Sequence, residues 1–246
     1  MEIGRGVGRV VASAIGSASR RVWISSPWIG PGYVSMLVDR ALAGVDVRVV
    51  TMDLPDNAGR DLARAADLYG SDKLREAGAK IAYWRRRHNS SRIAALRDAA
   101  LLTLLALASV LVAGRLAQYS QLLYLVAATL AAVAAAVAVY RLRASRRAEA
   151  ELLAAEAEFE RLSRELATSR EAIRRNLKAL VVPPAAAFVH AKLYIVDGKA
   201  WASSANLTDS GVEKNVELLV EVDVAEAERA FEQLWSTLAA ELSRLS

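Results

Sequence analysis

The chain has no cysteine and only two histidines among its 246 residues. The first absence excludes disulfides, thiolate nucleophiles and zinc–thiolate sites. The second leaves no evident donor set for a catalytic metal, because neither histidine sits in a local cluster with carboxylates; no metal and no cofactor is expected. The glycines at 4, 6 and 8 have no strand before them and no Gly-Lys-Ser/Thr after them. A phosphate loop is therefore not expected there, and the first residues read as a flexible start. The same stretch lacks the apolar core and cleavage site of a secretory leader. Acidic residues are concentrated from position 185 onward, whereas the N-terminal part and the middle are rich in arginine, within a formal charge of +5. Attraction for anions therefore belongs to the N-terminal part and the middle.

What is present begins as an α/β alternation. Gly6 to Ser19 reads as a helix with Val7, Val10, Val11, Ala14 and Ile15 on one face. A strand (Arg21 to Ser25), a helix (Tyr33 to Ala43) and a strand (Val45 to Val50) follow. Pro55 to Gly59 reads as a loop. A helical stretch through Leu74 to Gly78 and a short strand at Lys80 to Trp84 complete this part.

The most informative segment lies far downstream, at His190-Ala-Lys192-Leu-Tyr-Ile-Val-Asp197-Gly198. With period 2, Val189, Ala191, Leu193 and Ile195 share an apolar face, and Phe188, His190, Lys192 and Tyr194 point the other way. Asp197-Gly198 is a hairpin-turn signal, since type I′ turns need positive φ. Lys199 to Ala202 should then return antiparallel and carry Ser203, Ser204 and Asn206 back towards His190 and Lys192. An ammonium can hold non-bridging phosphate oxygens, and Ser204 and Asn206 can add neutral donors where charge develops. An imidazole titrates near neutrality and can serve as nucleophile or as acid.

H-x-K-x4-D followed by Ser-Ser-Ala-Asn resembles the HKD signature of the phospholipase D superfamily. The likeness continues in Asn215-Val-Glu217 within a strand from Val216 to Val222, and in a closing amphipathic helix with Phe231, Leu234 and Trp235. Val22 to Trp28 and Val45 to Thr51 resemble the first strands of one superfamily repeat. Ser203 departs from the usual glycine, and the stretch from Asp197 to the loop is one residue short, which bears on the geometry of the phosphate pocket. The resemblance implies an α/β fold: a phospholipase D-like mixed β-sheet flanked by helices. It also implies a phosphohistidine mechanism that needs two histidines. This chain has one H-x-K, so the resemblance implies a homodimer sharing a composite site, with His190 as nucleophile and acid/base. Lys192, Ser204 and Asn206 would bind phosphate, Glu217 would orient His190 through a hydrogen bond, and Asp197 and Gly198 would shape the turn.

In this chain the sheet is interrupted by roughly a hundred residues. Ile93 to Ala113 and Leu122 to Tyr140 are apolar segments joined by a turn at Gly114 to Gln121. Each is near the ~20 residues that cross a ~30 Å hydrocarbon core, and neither has a polar face. Only Arg97 and Asp98 interrupt the first. Arg85, Arg86, Arg87 and Arg92 precede the pair and Arg141, Arg143, Arg146 and Arg147 follow it, against Arg115 alone in the turn. The positive-inside rule then places both flanks, both termini and the catalytic domain in the cytoplasm. From about Arg141 to Leu180 a long charged helix follows, with Leu152, Phe159, Leu166, Ile173 and Leu180 every seven residues, as in a coiled-coil stalk or a helix packed on a partner. Pro183-Pro184 should end it.

The expected organisation is thus residues 1–88 and 185–246 as two parts of a phospholipase D-like domain, 89–140 as a transmembrane hairpin, and 141–184 as a stalk. The expected activity is a membrane-anchored, metal-independent phosphodiesterase acting on nucleic acid, with phospholipid as the alternative substrate. A membrane scaffold with a degenerate, anion-binding site is the competing class. His88 reads as an exposed juxtamembrane residue, and Trp28 as either a cleft-lining residue or a core or rim aromatic.

Overall fold

The computed structural model describes residues 1–115 and 120–245. They form two compact units: residues 1–69 with 166–246, and residues 70–165.

The first unit is built on a seven-stranded mixed sheet among the described residues, in the order β1-β7-β6-β5-β2-β3-β4. Its strands are β1 (Glu2–Arg5), β2 (Arg21–Ser25), β3 (Asp46–Met52), β4 (Leu177–Val182), β5 (Leu193–Val196), β6 (Lys199–Ser203) and β7 (Val216–Glu221). β2, β3 and β4 run parallel, while β5, β6, β7 and β1 continue the sheet antiparallel. Strand alternation divides the apolar side chains between two cores. Val22, Ile24, Val47, Val49, Tyr194 and Val196 face the side covered by α1 (Arg9–Ser17) and α2 (Pro31–Leu42), where Val11, Ile15 and Leu37 meet them. Trp23, Val50, Met52, Val182, Val189 and Ile195 face the other side. There Phe231 and Leu238 close the core from a long C-terminal helix (Val224–Leu245). Phe231 is fully buried, with its ring stacked 5.5 Å from Trp23. The expectation of an α/β fold, a mixed β-sheet flanked by helices, therefore holds.

Four local expectations need correction. The start of the chain is an edge strand, β1, paired with β7 from Glu2↔Leu219 to Arg5↔Val216. The first helix begins only at Arg9, because Gly8 packs against the chain: a Cβ there would lie 2.8 Å from the Val212 backbone. Lys80 to Trp84 is not a strand but part of a helix running Ser71–Arg115. The heptad from Arg141 does not reach Leu180 as one helix. The helix Ser120–Asn176 stops where the Asn176 amide donates to Ala41 O, at 2.8 Å, and Leu177–Val182 becomes β4 beside β3. Ile173 and Leu180 accordingly serve the cores of the sheet unit. Between α2 and this insertion lie a 3-10 segment (Ala58–Arg64) and a short helix, α3 (Ala65–Leu68), so the two long helices are α4 and α5.

The second unit consists of α4 and the first part of α5. Lys80 pairs with Glu158 at 2.7 Å, Arg85 with Glu156 at 2.9 Å and Asp98 with Arg141 at 3.2 Å, a register that makes the two helices antiparallel. Along α4 the half-buried positions Leu74, Ile81, Trp84 and His88 recur at helical spacing. That periodicity overrides the β-prone look of Lys-Ile-Ala-Tyr-Trp. Asp98, the lone acid of the first apolar segment, is held by both Arg97 and Arg141. Two stretches, Ser71–Val112 and Tyr124–Asn176, are long and apolar enough to cross a membrane, and no residue of their most apolar windows is buried. Leu101, Leu104, Leu107, Leu111 and Leu125 all point outward. The middle of the turn read at Gly114 to Gln121 lies outside the described residues.

Candidate active site

The expected constellation gathers at one end of the sheet, where β2 ends, β5 begins, β6 ends and β7 begins. His190 and Lys192 precede β5 on an extended segment rather than within the strand. That segment is tied down on both sides. Ser25 Oγ donates to Ala191 O at 3.0 Å, and Ser203 N donates to Lys192 O at 3.1 Å. The His190 side chain is exposed, whereas Lys192 is only 9% exposed. The Lys192 ammonium donates to His190 O at 3.0 Å and lies 3.4 and 3.5 Å from the two ring nitrogens, committed to neither. Burial pushes the Lys192 ammonium below its ordinary pKa, and the Glu217 carboxylate partly opposes that shift.

The opposite wall comes from the hairpin. Asp197 takes φ +50° at the turn, as the Asp-Gly signal implied. It lies at the far end of β5 from His190, so it serves the fold and not the cleft. Its carboxylate accepts from the backbone N–H groups of Ser19, Arg20 and Arg21 at 2.9–3.1 Å and from Ser19 Oγ. Burial alone would raise its pKa, but these hydrogen bonds outweigh that and hold it at about 2. Ser203 occupies the position where a glycine was expected without adopting positive φ. Its hydroxyl donates to Leu218 O at 2.7 Å and accepts from Ala205 N at 3.0 Å, which fastens the loop to β7.

Ser204 and Glu217 are brought together, but differently from the expectation. Glu217 makes no hydrogen bond with His190. Its carboxylate accepts from Ser204 Oγ in a short contact and from Asn215 Nδ2 at 3.2 Å, because β7 starts directly beside the end of β6. Ser204 Oγ in turn accepts from Leu218 N at 2.9 Å. Asn206 sits one turn further on, and its Oδ1 is buried without a hydrogen-bond partner. The loop beneath it is fixed by Tyr194, whose hydroxyl donates to Ala205 O at 2.7 Å and whose pKa burial pushes up. Leu207 N adds a bond to Ser26 Oγ at 3.1 Å.

Three contributors had no clear signal in the sequence. Phe188, 57% exposed, stacks on His190 with centroids 6.0 Å apart and meets the Trp28 ring edge-on at 6.2 Å. Trp28 is half-buried and joins Phe188 and His190 in one aromatic group. Asn57, inside the segment read as a plain loop, is 1% exposed and holds the Ser26–Ile29 turn. Its amide donates to Pro27 O, Thr51 Oγ1 and Met52 O, and its carbonyl accepts from Ile29 N and Gly59 N. Gly211, in a one-turn π segment (Ser210–Lys214), lies so close to Asn206 that a Cβ would fall 2.4 Å from Asn206 O. An Asx residue before Ala-Gly could have suggested the Asn57 turn, but its long-range partners leave no local trace. Among the described residues no three His, Asp or Glu side chains converge as a metal site.

The family model described as cardiolipin synthase, PLD-like domain, matches residues 124–237, a little under half the chain. A solved structure, that of the phospholipase D family member Nuc from Salmonella typhimurium, aligns at 16% identity and TM-score 0.40, covering 98% of this chain and 93% of that one. No curated protein matches. Over residues 124–237 the chain is thus similar to a phospholipase D-like domain, the family whose H-x-K signature its own motif resembles.

Proposed function

We propose that this chain is a membrane-anchored phosphodiesterase acting through a phosphohistidine on His190 and needing no metal. The observation that carries the reading is the Lys192 ammonium held against the exposed His190 ring at one end of the sheet. A fixed cation there draws the non-bridging oxygens of a diester onto the imidazole and stabilises the charge that develops on them. A ring nitrogen of His190 attacks phosphorus, and the ester oxygen leaves with a proton. Water then attacks the phosphohistidine, releasing the phosphate monoester and the free imidazole. One imidazole cannot be nucleophile and proton donor in the same step. The donor is His190 of a second copy, across a two-fold axis. Asn206 completes the phosphate cradle by donating its side-chain N–H groups to the phosphate oxygens. Glu217 fixes the Ser204 hydroxyl and sustains the charge on Lys192, a positioning role in place of the bond to His190.

The substrate reading is a nucleic-acid strand, favoured by the exposed Phe188 ring, with half-buried Trp28 against it, beside His190. An aromatic face there suits a nucleobase, whose stacking is worth about 1–3 kcal/mol. Phospholipid is the second reading, favoured by the two exposed apolar helices and by the description of the matching family model. The four-part organisation read from the sequence, with a hairpin at 89–140 and both flanks cytoplasmic, goes with either.

A turnover assay of the full chain in nanodiscs with EDTA tests this, offering single-stranded DNA, RNA and labelled phospholipid beside a His190→Asn control. Cleavage of one class, lost in the variant, is the expected result and selects the substrate. A folded chain that cleaves none of them, or a His190→Asn chain as active as the parent, refutes the mechanism.

A further inference from the structure

Basic residues near the apolar ends of α4 and α5 divide into two kinds. Lys80, Arg85 and Arg141 are paired with acids of the other helix. Among the described residues Arg92 and Arg146 are not, although both line one groove of about 630 Å³ between the helices. From its outer end inward the groove presents His88, Arg92 and Arg146, then Leu96 and Leu142, then Ala138. In the antiparallel register these residues descend in matched levels, with charge at one end and an apolar wall at the other. Glu149, at the outer end, forms no ion pair with either arginine among the described residues, and His88 Nδ1 is buried with no hydrogen-bond partner. Two guanidinium groups that line one groove and pair with no carboxylate among the described residues are charges that an anion would neutralise.

We infer that this groove is a binding site for one anionic phospholipid, separate from the His190 cleft. The headgroup phosphate lies between Arg92 and Arg146, and His88 closes the outer end. One acyl chain follows Leu96, Leu142 and Ala138 into the apolar half of the hairpin. The gradation from guanidinium to aliphatic wall matches a lipid molecule and does not match a free phosphate, which has no use for the apolar half. The inference rests on the membrane-spanning reading of these helices, and the test separates the two.

The probe is phosphatidylglycerol against phosphatidylcholine, with retention on the detergent-purified full chain read by native mass spectrometry. Each arginine contributes roughly 5-fold to attraction for an anionic lipid, so Arg92→Gln with Arg146→Gln should weaken phosphatidylglycerol retention about 30-fold. Phosphatidylcholine retention should be unchanged. Arg75→Gln with Arg161→Gln removes the same charge from the same two helices outside the groove, and should have less than about 2-fold effect. Lys192→Gln should leave retention intact. Equal loss in both arginine pairs, or loss in Lys192→Gln alone, overturns the groove. Alkaline carbonate extraction of the expressed chain tests the premise: a chain released by carbonate overturns the membrane reading and this inference with it. An integral chain with unaltered retention in the Arg92/Arg146 variant overturns the groove only.

Discussion

Asn57 is the residue whose removal best measures how the cleft is held. In Asn57→Ala, five hydrogen bonds disappear, but their loss is unequal. Pro27 O keeps Met52 N and Thr51 Oγ1, and Met52 O keeps Leu54 N. Ile29 N and Gly59 N are left as buried donors with no acceptor. Each orphan costs about 1–3 kcal/mol, so the expected destabilisation is about 3–5 kcal/mol. Four of the five tryptophans (Trp23, Trp28, Trp201 and Trp235) lie in the sheet unit, so intrinsic fluorescence follows that unit in the full chain. With a urea slope of about 1–3 kcal/mol/M, the midpoint should fall by about 2 M. Asn57→Asp keeps both acceptor bonds and turns a carboxylate onto carbonyl oxygens; its deficit should shrink as the pH falls and the acid becomes a donor. A midpoint within about 0.5 M of the parent for Asn57→Ala would refute the claim that this amide pins the Ser26–Ile29 turn.

Asp197 should make stability acid-sensitive in a defined window. Its folded pKa of about 2 lies below the ordinary value of 3.8, so its contribution is complete above about pH 4 and is lost as the pH falls through 2. After allowance for solvent screening this is about 1–2 kcal/mol, and Asp197→Asn should lack it, with parent and variant melting curves converging near pH 2. Gly211→Ala forces a methyl into the Asn206 backbone. It should cost about 1–3 kcal/mol and raise KM for any diester substrate, and equal KM values would show that Asn206 does not cradle phosphate. On the nucleic-acid reading, Phe188→Ala should weaken strand binding by about 1–3 kcal/mol, with little change for a phosphodiester lacking a base. Equal losses on both would assign the ring to supporting His190 alone.

The legibility of these features follows how local they are. His190, Lys192, the Asp197-Gly198 turn and the Ser204/Asn206 loop fall within seventeen residues, joined by one hairpin, so alternation and turn chemistry suffice to bring them together. The central strands β2 and β3 read correctly because their apolar runs are buried on both faces. β1 and β4 did not, since a short edge strand is defined by the neighbour it pairs with, at Leu219 or Val49, and not by its own pattern. The heptad ending at Leu180 shows a related limit. Its spacing continues past Asn176, but the side chains enter the sheet cores and not a helical seam. The Glu217 partner was misjudged for the same reason, because the choice between His190 and Ser204 depends on how β6 and β7 align.

The division of the sheet unit into residues 1–69 and 166–246 has a consequence for biogenesis. When β2 and β3 leave the ribosome, the strands that flank them, β5 and β4, have not been made. At about 5–20 residues per second, the roughly hundred intervening residues impose a delay of order ten seconds. Val22, Ile24, Val47 and Val49 spend that interval without their final cover, a period when chaperone protection matters most. The two apolar helices emerge within the same interval. On the membrane reading, insertion therefore begins before His190 is translated, and the newborn chain is moored before its candidate site exists.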